Sequence, residues 1–85
     1  MTKTDTETHK ECVQQFIDLA NAMKNAGMDV NIVSGGLMSA SALYASFLVG
    51  GNDGGLTTSG VEKVSAVYKR ELERIQKLKK AANGL

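Results

Sequence analysis

An all-α protein of three helices is what this sequence predicts, and three observations carry that reading. Apolar residues recur at three- and four-residue steps in an early and a late segment, the spacing of a helix with one buried face. A central segment between Asp29 and Asp53 holds no charged residue at all, so it must be covered by something other than water. Glycines and capping residues fall between these segments and no proline falls inside them, which leaves each helix uninterrupted. Eighty-five residues make a single domain near the lower limit for an unstapled core.

The first helix is expected over about residues 5–26. Val13, Phe16, Ile17, Ala20 and Met23 form its apolar stripe, flanked by Cys12 and Leu19. Gln14, Gln15, Asp18, Asn21 and Asn25 take the other side. Thr4 with Glu7, or Thr8 with Glu11, fits a capping box in which hydroxyl and carboxylate satisfy each other's end amides. Gly27 is a natural left-handed terminator.

The second helix is expected over about residues 30–49, capped by Asp29 or Asn31. At about 100° per residue, Ile32, Val33, Leu37, Leu43, Tyr44, Phe47 and Leu48 share one broad arc. Ser34, Gly35, Ser39, Ser41, Ala42, Ala45 and Ser46 share the opposite one. The helix is amphipathic in size rather than charge, and its large face is expected to fill the core. Gly35 with Ser39 and Ala42 with Ser46 are small residues four apart, a spacing that lets a second backbone approach closely. These four are the candidate self-association residues.

The run GGNDGGL over residues 50–56 reads as a turn, and residues 1–4 and 50–58 as flexible. A phosphate-binding loop is excluded because no Lys-Ser or Lys-Thr follows these glycines. A calcium loop is excluded because Asp53 lacks acidic partners at the required offsets.

The third helix is expected over about residues 59–82, with Ser59 and Glu62 as a capping box. Val61, Val64, Tyr68, Leu72, Ile75 and Leu78 give its stripe, and Glu73 is placed to pair with Lys77. Similar lengths and short connections favour an up-down-up bundle. Two neighbours cover a central helix only in part, so the bundle is expected to associate with itself as a homodimer.

Charge and chemistry narrow the function. The formal charge is +1, but seven of the ten Lys and Arg lie between Lys63 and Lys80. Lys69, Arg70, Arg74, Lys77 and Lys80 form a candidate basic contact face, interrupted by Glu71 and Glu73 and without aromatics for base stacking. His9 and Cys12 lie on one helical face, yet Asp5 and Glu11 are the nearby acids and no second His or Cys exists, so no metal site is expected. Cys12 reads as a small packed residue, and as a nucleophile it lacks a base held beside it. Ser34, Ser39, Ser41 and Ser46 read as packing residues bonded to the preceding turn. No catalytic residue, cofactor or metal is therefore expected. One cysteine and a polar opening segment with no apolar leader point to a reducing cytoplasm.

FIDLAN over Phe16–Asn21, followed by VSGGLMSASALYASF over Val33–Phe47, resembles a family of small bacterial helical proteins known only as a domain of unknown function. The likeness lies in Val33, Ser34, Leu37, Met38, Ala40, Ala42, Tyr44 and Phe47 and covers the first two helices. Gly35 and Gly36 stand where such sequences carry alanine, Leu43 where they carry a polar or basic residue, and the tail is basic rather than acidic. The resemblance implies an all-helical fold and supplies no activity.

A non-enzymatic interaction or accessory protein in a bacterial cytoplasm is thus expected, acting as a homodimer with an unidentified protein partner. Two other readings keep a basis in residues. One is a nucleic-acid-associated accessory protein using the basic third helix. The other is a small single-pass membrane protein crossing through residues 30–52, where four serines and internal glycines dilute the apolar content. Neither nucleic acid nor a membrane is the partner the composition favours.

Overall fold

The structure, a computed structural model, describes residues 3–50 and 57–83, the backbone alone at 49 and 50. It is all-α: α1 spans Asp5–Asn25, α2 Val30–Gly50 and α3 Thr58–Asn83. The three predicted helices are all present, their ends within a residue or so of the expected positions. Most of the glycine-rich turn lies outside the described residues.

The helix boundaries follow from particular polar atoms. Thr4 caps α1, its hydroxyl accepting from the Glu7 amide at 3.1 Å, so the earlier of the two expected boxes is the one used. At the far end the Gly27 amide donates to the Lys24 carbonyl at 3.0 Å and the Met28 amide to the Met23 carbonyl at 3.1 Å. This paired closure needs a left-handed residue at the turn, and Gly27 supplies it with φ 106°. Asp29, not Asn31, caps α2. Its carboxylate accepts from the Asn31 amide at 2.8 Å, and its carbonyl accepts from the Ile32 and Val33 amides.

The start of α3 corrects the expectation. Thr57 is the cap: its hydroxyl accepts from the Gly60 amide at 3.1 Å and its carbonyl from the Val61 amide at 2.9 Å. Ser59 lies inside the first turn. Both residues carry a hydroxyl at a plausible distance from the stripe, but only Thr57 stands three residues before an amide left unpaired by the helix.

The chain divides into two compact units, Met1–Ser41 and Ala42–Leu85, and α2 contributes to both. In the first unit, the last turns of α1 and the first turns of α2 border a shallow groove of about 170 Å³. Ala20, Asn21 and Lys24 line it from α1, and Val30, Val33, Ser34 and Leu37 from α2. Val33 is 7% exposed and is the only large apolar side chain buried among the described residues. Ala20 is half-buried, whereas Val13, Phe16, Ile17, Leu19 and Met23 remain exposed.

In the second unit the sheltered positions are Ala45 and Ser46 on α2 and Gly60, Val64, Glu71 and Ile75 on α3. Leu43, Tyr44, Phe47 and Leu48 are exposed, Leu48 by 81%. The expectation that the large face of α2 fills the core therefore holds at Val33, in the first unit, and is overturned at Leu43, Tyr44, Phe47 and Leu48. Small side chains occupy the sheltered side there, and the large ones face outward.

Candidate interaction surfaces

The four small residues of α2 fall into different surroundings. Gly35 and Ser39, in the first unit, are exposed, and a methyl group built on Gly35 would meet nothing within 4 Å. In the second unit Ala42 is exposed and Ser46 half-buried. The Ser46 hydroxyl donates to the Ala42 carbonyl at 2.8 Å, the back-bond expected for a serine inside a helix. Among the described residues no backbone approaches Gly35, so its lack of a side chain is unused there.

The α1–α2 groove is built but small. Its volume is below the roughly 300–1,000 Å³ of small-molecule sites, and its lining is mostly apolar with Asn21, Lys24 and Ser34 as polar members. It suits a docked side chain better than a ligand.

Chemistry elsewhere on α1 is sparse. Among the described residues no group of three or more His, Cys, Asp and Glu could hold a metal ion. Cys12 is exposed, which corrects the expectation that it packs as a small apolar residue. The reason is that the α1 stripe beside it is itself uncovered. His9 is exposed as well. Glu11 is engaged by Lys3, whose Nζ lies 2.6 and 2.8 Å from the two carboxylate oxygens.

On α3, at about 100° per residue, four bands separate. Gly60, Val64, Glu71 and Ile75 form the sheltered band. Next to it Val61, Tyr68 and Leu72 form a half-open apolar band, exposed by 50%, 50% and 44%, which Lys79 ends at the same angle. Beyond that lie Glu62, Lys69, Glu73 and Lys80. The remaining flank carries Lys63, Arg70, Arg74 and Lys77.

The expected basic face is thus split in two. Arg70, Arg74 and Lys77 lie on the all-basic flank, and Lys69 and Lys80 alternate with glutamates on the other. Arg74 donates from Nε to Glu71 Oε1 at 2.9 Å and pairs with the same oxygen through its terminal nitrogen. The hydrogen bond to Glu71, and then its charge, raise the Arg74 pKa, so its charge persists at any working pH. The pairing expected between Glu73 and Lys77 does not form; Glu71 is the acid that meets a cation, one turn earlier on the helix. The division follows from the helical period alone; which apolar band beside it is sheltered does not.

No family model, curated protein or solved structure matches the chain.

Proposed function

We propose that the chain is a non-enzymatic interaction module of a bacterial cytoplasm. It works by covering its apolar helix faces with protein, first of all a second copy of itself. A single observation carries this reading: Val33 is the one buried large apolar residue among those described, while Phe16, Leu19, Leu43, Phe47 and Leu48 stand more than half exposed. Each such side chain gains about 1.5–3 kcal/mol on full burial, and soluble monomers rarely leave contiguous apolar patches of this kind in water.

Sedimentation equilibrium of the purified chain without detergent tests it. A mass of two chains or more at micromolar concentration is the expected result. A single-chain mass up to millimolar concentration would refute it.

One observation favours a second reading. Val30–Leu48 is an uncharged stretch of 19 residues with mean hydropathy 1.2, and 6% of it is buried. That length approaches the roughly 20 residues a bilayer crossing needs, and lipid would cover the outward-facing Leu43, Tyr44, Phe47 and Leu48 as well as protein would. Four serines in the stretch weigh against it. Recovery in the membrane fraction, released by detergent and not by high salt, would replace the first reading with this one. Nucleic-acid binding is less favoured, since Glu62 and Glu73 interleave with the cations of one flank and Arg74 is already paired.

A further inference from the structure

We propose that α3 pairs side by side with α3 of a second copy, antiparallel, about a two-fold axis beside Leu72. The proposal rests on the self-association reading above and names the surface and geometry that serve it. The half-open band of Val61, Tyr68 and Leu72 is where a second helix fits, because the neighbouring band of Gly60, Val64, Glu71 and Ile75 is already sheltered.

Charge decides the direction. The flank bordering the open band reads Glu62, Lys69, Glu73, Lys80, alternating in sign. Among the described residues none of these four forms an ion pair within the chain. In an antiparallel pair each helix lays this flank against the same flank of its copy, and positions equidistant from the centre come opposite each other. Glu62 and Lys80 are equidistant from position 71, and so are Lys69 and Glu73. One register therefore sets both glutamates against lysines of the copy, four contacts in all by symmetry.

The same register, within a residue, places Leu72 against its own copy and Val61 against the copy's Ala82. The opposite flank fails the same test. Lys63, Arg70, Arg74 and Lys77 share one sign, so facing its own copy it meets only repulsion. A parallel pair would bring the alternating flank against a different face and leave its pattern unused.

Disulfide trapping in a Cys12→Ser background tests the geometry. Leu72→Cys is expected to oxidise to a covalent dimer. Val61→Cys is expected to stay unlinked, since antiparallel pairing holds the two copies of that position about 33 Å apart at 1.5 Å per residue; parallel pairing would join them. Glu73→Lys and Lys69→Glu are each expected to weaken dimerisation about three- to thirtyfold, as attractive contacts become repulsive twice over. The double swap is expected to restore it, and Arg70→Glu to leave it unchanged. All these positions are exposed, and unchanged helix content by circular dichroism confirms that the variants fold.

A dimer that resists Leu72 trapping and ignores Glu73→Lys overturns the α3 pairing while self-association stands. Self-linking of Val61→Cys overturns it likewise. A chain monomeric under all conditions removes both readings.

Discussion

Two hydroxyl residues stand at the start of α3, and the helix uses one of them. Thr57 accepts the Gly60 amide, while Ser59 sits within the first turn and has no end amide to satisfy. Their substitutions should therefore differ. Thr57→Ala is expected to cost about 1 kcal/mol, the usual loss of an N-cap. Ser59→Ala should be neutral or slightly stabilising, because alanine is the better helix former. Urea denaturation of both variants, each at the same protein concentration, checks this. Equal losses would return the cap to Ser59. The sequence could not separate the two, since threonine at 57 and serine at 59 lie two residues apart and either fits the apolar stripe that follows. The closure of α1 was legible, by contrast, because only a glycine takes a positive φ at the turn without strain, and Gly27 is the only glycine near it.

At the scale of the element, helix positions were readable and helix coverings were not. The period of Val13, Phe16, Ile17, Ala20 and Met23 tells which side of α1 is apolar. It says nothing of what lies against that side, and the structure leaves all but Ala20 exposed. On α2 the same limit produced an error: size segregation between the faces is real, but the sheltered residues at its C-terminal end are Ala45 and Ser46. The glycines of α2 turn this into a measurement. A methyl group at Gly35 meets nothing within 4 Å, so within one chain Gly35→Ala should stabilise the helix by roughly 0.5–1 kcal/mol. If a second backbone instead packs on Gly35 and Ser39, the same methyl would obstruct it. Thermal unfolding of Gly35→Ala beside its sedimentation behaviour separates the cases. Higher stability with unchanged association keeps this face free, and weakened association would assign it to the interface instead.

For the whole molecule, the decisive quantity is how stability depends on concentration. Three helices that bury one large apolar side chain among their described residues draw little from their own packing, and most helical stability in proteins comes from packing an apolar face rather than from propensity. Whatever covers Phe16, Leu43, Phe47 and the Val61–Tyr68–Leu72 band supplies much of the folding energy. If the cover is a second copy, folding and association are one equilibrium and stability rises with total chain. A tenfold rise in concentration then adds about 1.4 kcal/mol to the dimer. For a folding unit of two such chains this corresponds to a Tm increase of about 3–6 °C. Circular dichroism melts across a hundredfold concentration range should therefore shift by twice that amount. In Glu73→Lys the midpoint at any one concentration should fall below that of the parent, while the shift per tenfold in concentration persists. A midpoint independent of concentration would mean that the helices hold together alone, and the exposed faces would then need another explanation. Melts that become cooperative only with detergent present would point to lipid as the cover.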